Sequence, residues 1–347
     1  MTSWRTCKTL ALGSGAILMV ACLTGCGSGG SDAGSTGNGG SATATGGQGG
    51  SGGFINTDSG VGGSGASSGS GGAGGQPPVG CGNTVTGTVR DFRAGHPDFQ
   101  CEVTGPPGFV DVGNKDCGPW DPLIVGPLGS VIGPDRKPVY ASSTRTPSST
   151  GASNFAQWYT DVPNVNMTRS IDLKLVAGAD GTFAYDTAFF FPIDGQLFDA
   201  EPDNPDRGPY KSDDGQVRNF HFTYELHTTF RYDPGNVFTF RGDDDVFVYI
   251  NDRLAMNLGG IHVPLQGTVN LDTGRVEITA PMGFPDLPVL ADVGFTESID
   301  GGVAGTVDLQ LTPGEVYNMD FFFAERNCCA SNFRFETNFV FIDCGPK

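Results

Sequence analysis

The chain has 347 residues and a formal charge of −18, from 38 acidic and 20 basic side chains. That balance argues against nucleic acid or anionic lipid as partners. It is compatible with divalent cations.

Residues 1–25 read as a lipoprotein signal peptide and are excluded from the fold. Arg5 and Lys8 make a short positive region, residues 9–21 are mostly apolar or small, and Leu23-Thr24-Gly25-Cys26 resembles a bacterial lipobox. Cys26 is the expected lipidation site. The apolar run is too short to be read as a spanning helix, so the only expected membrane contact is a lipid anchor. The expected location is the cell surface, as an outer-membrane lipoprotein or secreted. Removing Arg5 and Lys8 deepens the charge from −18 to −20. Residues 26–80 are Gly, Ser, Ala and Thr with almost no charge, which reads as a disordered, flexible linker.

Residues 81–347 are enough for one large β domain. Gly, Pro, Asn and Asp punctuate it throughout. Strand-type runs lie at 84–92, 171–175, 182–191, 219–232, 237–240, 246–250, 268–270, 275–279, 306–311, 316–324 and 333–342. Phe220, Phe222, Tyr224 and Leu226 alternate with polar residues, as in a half-buried strand. Residues 153–160 are the best candidate for a short helix. Residues 97–150 show little periodicity and read as a loop region. The pattern predicts an all-β, antiparallel β-sandwich with long loops. Six cysteines fall in this region: Cys81, Cys101, Cys117, Cys328, Cys329 and Cys344. An even number in an exported domain suggests disulfides, and the sequence leaves their pairing open.

The most informative run is Arg241 to Asn251, where Asp243, Asp244 and Asp245 stand at the mouth of the apolar segment 246–250. Like charges so spaced need a cation or full solvation. Calcium suits such a place because it takes many oxygen ligands. Successive side chains of a strand point to opposite faces. Asp243 and Asp244 can therefore share one ion only where the backbone turns. Asp245 reads as a supporting or turn residue. Glu325 and Arg326 read as a structural ion pair. The acidic loop 199–214 lacks the alternating order of a calcium loop and reads as solvated. Trp120, Trp158 and Tyr159 would stack on sugar rings if exposed.

Several blocks combine into one pattern. They are Thr88-Val89-Arg90-Asp91-Phe92, His96-Pro97-Asp98-Phe99, Lys137-Pro138-Val139-Tyr140, residues 155–163, Phe191-Pro192-Ile193-Asp194-Gly195, residues 219–226, residues 242–251, Leu258-Gly259-Gly260-Ile261-His262, residues 321–326 and Ser331-Asn332-Phe333. Together they resemble a fibro-slime domain, a bacterial surface module related to the PA14 β-sandwich. The resemblance covers 85 to about 343. It implies a PA14-like fold and a calcium ion held by two adjacent aspartates, which match Asp243 and Asp244. A further ligand is an asparagine on a late loop, for which Asn327 and Asn332 are the candidates. Cys328 and Cys329 stand where polar residues are often found, and Asn251-Asp252 lacks the usual hairpin glycine. Residues 281–305 match poorly and read as an insertion.

The expected function is calcium-dependent binding of carbohydrate or extracellular polysaccharide at the cell surface, through Asp243, Asp244 and His262. One alternative is a structural matrix component with a purely structural calcium. Another is a glycan-acting hydrolase, since paired carboxylates also serve that chemistry. No Ser-His-Asp order, phosphate loop or His-Glu-x-x-His pattern is evident, so an enzyme is not expected.

Overall fold

Short β-branched and aromatic runs between turn residues form two antiparallel sheets. The computed structural model describes residues 83–99, 120–201, 211–212, 214–284, 287–327 and 330–343. The leader, Cys26, the Gly/Ser stretch and all six domain cysteines lie outside the described residues. Every described residue belongs to the unit Gly72–Lys347; the other unit, Met1–Gly71, contains none of them.

In chain order the strands are β1 (Thr84–Phe92), β2 (Asn166–Lys174), β3 (Val176–Ala177), β4 (Phe183–Thr187), β5 (Phe222–Arg231), β6 (Val237–Gly242), β7 (Asp245–Ile250) and β8 (Arg253–Leu258). Then come β9 (Leu265–Asn270), β10 (Arg275–Thr279), β11 (Phe295–Ile299), β12 (Gly302–Thr306), β13 (Val316–Glu325), β14 (Phe333–Thr337) and β15 (Phe341–Asp343). The first sheet runs β2-β1-β5-β13-β7-β8, with β15 also on β5. The second runs β11-β12-β10-β9-β6-β14-β4-β3. Residues 281–305, read as an insertion, supply β11 and β12 at the edge of the second sheet.

Strand periodicity explains the two cores. Val246, Val248 and Ile250 of β7 and Phe321 and Phe323 of β13 face the second sheet, meeting Phe238, Phe240, Phe333 and Phe335. The alternate residues Phe247, Tyr249, Phe322 and Ala324 face the other way. They are covered by Ile124, Val125, Ile132, Phe155, Trp158 and Tyr159. The middle of the first sheet is thus buried on both faces, and β7 has no exposed position, whereas the edge strand β2 is largely exposed. This corrects the half-buried reading of β5: Thr223 and Glu225 are only 0% and 3% exposed. It also removes Trp120, Trp158 and Tyr159 as stacking platforms, because all three are buried. The expected helix at 153–160 is one turn, α1 (Ala152–Phe155). No side chain caps its start, and Trp158 and Tyr159 turn into the second core.

The hairpin between β7 and β8 needs left-handed backbone at both central residues. Asn251 and Asp252 adopt it at φ 48° and 62° without glycine. Arg136 donates to Asp252 (3.0 Å) and Asn251 Nδ2 to the Leu309 carbonyl (2.8 Å), fixing the turn from outside. The acidic loop is not merely solvated. Asp199 is buried and accepts the Gly195 N–H, Glu201 pairs with Arg93, and Asp214 with Arg218.

Phe333 is fully buried and stacks on Phe190 with centroids 4.1 Å apart. Phe333→Ala should lower unfolding free energy by about 3–5 kcal/mol in urea denaturation. On β1, Asp91 is fully buried and accepts the Phe198 N–H (2.9 Å) and Asn219 Nδ2 (2.8 Å). Burial pushes its carboxyl up to about 7. The native state therefore binds this proton more tightly than the unfolded chain does. The group's contribution is fullest below about pH 4 and is lost as pH rises through about 7. Urea unfolding across that range should show the wild type losing stability relative to Asp91→Asn as pH rises.

Candidate functional site

Three connections between the sheets lie at one end of the sandwich. The first, from β6 to β7, consists only of Asp243 and Asp244. The second runs from β13 to β14 and carries Asn327 and Asn332. The third runs from β8 to β9 and carries His262. Register places them side by side: Ala324 pairs with Asp245, Phe333 with Gly242, and Val246 with Leu258. Candidates separated by up to 89 positions in sequence are thereby gathered in one region.

A two-residue crossing demands a sharp turn, made with Asp244 at φ 58°. The carboxylates then bond the neighbouring crossover. Asp243 accepts the Asn332 N–H at 2.5 Å and Asn332 Nδ2 at 2.8 Å. Asp244 accepts the N–H groups of Arg326 (2.7 Å) and Asn327 (3.0 Å). Asp243 and Asp244 are only 5% and 4% exposed. Burial pushes the Asp243 carboxyl up, and it pushes Asp244 well above the usual range against the pull of Arg326.

The expected Glu325–Arg326 pair is corrected. Successive side chains at the end of β13 point to opposite faces. Arg326, fully buried, turns to the second core and bonds Asp245 at 2.5 Å. It also donates to the carbonyls of Asp98 (2.9 Å) and Ser148 (2.7 Å), and its guanidinium lies 4.5 Å from the Trp158 ring centroid. Asp245 further accepts the Gly260 N–H (2.7 Å), and burial pushes its carboxyl up to about 6.

Glu325 turns the other way, on the face shared by Phe321 and Phe323. It is fully buried, and neither carboxylate oxygen has a hydrogen-bond partner. Ser331 and the Asn327 amide approach it. However, Ser331 Oγ donates to the Phe190 carbonyl, and the Asn327 N–H to Asp244. Burial, then the charges of Asp244 and Asp243, push the Glu325 carboxyl well above the ordinary range. The sequence missed this residue as a site member. Strand parity at the end of β13 was the signal that could have found it.

His262 is half-buried, with Nε2 3.0 Å from the Leu258 carbonyl and Nδ1 2.8 Å from that of Val263. Burial holds its pKa down. The ring serves its own loop, and a neutral imidazole donates to only one of these carbonyls.

Among the described residues, no three His, Cys, Asp or Glu side chains are gathered so as to hold a metal by themselves. Calcium does not require that, since amide and backbone carbonyl oxygens also serve. Asp243, Asp244 and the Asn332 amide fit that donor chemistry. The buried Glu325 carboxyl, held well above the ordinary range, lies close enough to feel their charge. Among the described residues, two cavities, of about 320 and 280 Å³, lie elsewhere and are not lined by these residues.

No family model matches the chain. Proteins of Dictyostelium discoideum are similar to it, among them the following three. It is 35% identical to protein psiR over 216 residues, covering 61% of this chain and 18% of psiR. It is 32% identical to psiD over 228 residues, covering 64% and 37%. It is 31% identical to psiQ over 218 residues, covering 62% and 18%. The matched part is thus a minor share of each relative's own length.

Removing one partner of a buried ion pair strands the other charge. Arg326→Met should therefore cost about 3–5 kcal/mol of stability. Chemical denaturation monitored by Trp fluorescence checks this, and Arg326→Lys should recover only part of the loss.

Proposed function

We propose that this is a fibro-slime-type, PA14-like module that binds calcium at the Asp243–Asp244 crossover and uses it to hold carbohydrate or matrix polysaccharide. Asp243 and Asp244 supply carboxylates, and the Asn332 amide supplies a further oxygen. Asn327 presents its loop to Asp244, and His262 shapes the neighbouring rim. Calcium would supply positive charge and free coordination positions for sugar hydroxyls.

One observation carries the reading. Asp243, Asp244 and Glu325 are nearly or fully buried, and the buried cation beside them, Arg326, is already paired with Asp245. Buried charge is neutralised by protons or by a cation. A hard divalent ion does so while keeping the carboxylates ionised. The fibro-slime motifs support the carbohydrate part. Cys26 and the segment 26–80 support display from a lipid anchor, which would make weak single contacts effective through multivalency.

A second reading has its own observation. Asp243 and Asp244 are almost inaccessible and tie one crossover to another. In that reading calcium only stiffens a structural matrix component.

Binding to arrayed glycans and polysaccharides, with calcium and with chelator, separates the two. Under the first reading the wild type binds with calcium only, and Asp243→Ala/Asp244→Ala abolishes binding. Under the second, calcium raises the thermal midpoint but no glycan is retained. If calcium changes neither binding nor stability of the folded protein, both readings fail.

A further inference from the structure

Three phenylalanines follow β4, and they have different fates. Phe190 is 1% exposed and stacks on Phe333. Phe191 is half-buried, with the Arg218 guanidinium 5.1 Å from its ring centroid. Phe189 is left 47% exposed.

Its backbone is firmly held. The Phe189 N–H donates to Thr187 Oγ (3.0 Å), and the residue forms a parallel bridge with Ser331. Next to it the Phe190 N–H donates to the Ser331 carbonyl (2.9 Å), and Ser331 Oγ donates to the Phe190 carbonyl (3.0 Å). Ser331 immediately precedes Asn332, which gives two hydrogen bonds to Asp243. An exposed aromatic residue is thus fixed one bridge and one residue from the acidic crossover. On another side, Val263 follows His262 and is 36% exposed. The crossover thus has buried aspartates at its centre and exposed apolar side chains on the connections beside it.

We infer that Phe189 is an aromatic platform that seats the apolar C–H face of a neutral pyranose ring beside the cation. A pyranose has hydroxyls around its edge and one or both faces rich in C–H. A ring whose vicinal hydroxyls reach a cation can lay such a face on an adjacent aromatic side chain. The chain's formal charge of −18 disfavours anionic sugars, which selects a neutral residue. A rigid backbone lowers the ordering cost of such a contact. This inference rests on reading the crossover as a calcium–carbohydrate site.

The test uses immobilised mannan, galactan and glucan as probes, with calcium affinity measured separately by calorimetry. The proteins are the wild type, Phe189→Ala, Phe189→Tyr and Asp243→Ala/Asp244→Ala. Phe189→Ala should weaken retention on the bound polysaccharide by about tenfold and leave calcium affinity unchanged. Phe189→Tyr should retain binding. If Phe189→Ala binds the polysaccharide like the wild type, the platform is wrong and the calcium–carbohydrate reading stands. If it loses calcium affinity as well, Phe189 is a structural part of the site and the platform is again wrong. Binding that survives chelator but needs an aromatic residue at 189 keeps the platform and removes the cation. Absence of binding by the folded wild type to all three overturns both.

Discussion

The structure depends on how buried negative charge is accommodated where the chain passes between its sheets. The crossing from β6 to β7 is two residues long, and both are aspartates. Their carboxylates accept main-chain N–H groups from the next crossover, so acid side chains replace the hydrogen bonds that a short connection cannot make itself. Glu325 adds a further buried carboxylate without a hydrogen-bond partner. Arg326 answers one charge, that of Asp245. Asp243, Asp244 and Glu325 are left to be neutralised by protons or by a cation.

The same residues couple the site to the rest of the fold. From the end of β13, Arg326 reaches the carbonyls of Asp98 and Ser148 and lies over Trp158. Asp98 in turn accepts from Trp158 Nε1 and from Thr150. The segment covering the outer face is thereby tied to the end of β13. On the inner side, Ser331 and Phe190 join the second sheet's aromatic core to the crossover carrying Asn332. The described ends of these crossovers are anchored in the two hydrophobic cores.

Much of this was legible in the sequence. β1 and β10 follow the runs at 84–92 and 275–279, and β7 follows the apolar run after the aspartates. β8 was not anticipated because Arg253–Leu258 has no alternation. It packs against both cores, so both faces are buried, and bonds between Gly129, Ser130 and Leu254 seal its edge. β12 was hidden by its glycines, which are demanded by close backbone approach: a Cβ at Gly302 would lie 1.9 Å from the Ile278 carbonyl oxygen. The motif resemblance named Asp243, Asp244 and either Asn327 or Asn332, the glycine pair before it drew notice to His262, and all fall at one end of the sandwich. The partner exchange between Glu325, Arg326 and Asp245 was not legible. It turns on which face each side chain takes where β13 ends.

Calorimetric titration of calcium into the metal-free protein at neutral pH decides whether a cation neutralises this crossover. A saturable site with a stoichiometry near one is expected. Replacing Asp243 and Asp244 together by Asn should remove the binding heat while the β-rich fold persists in circular dichroism. A folded wild-type protein that takes up no calcium would contradict the calcium reading. The buried carboxylates would then be neutralised by protons alone.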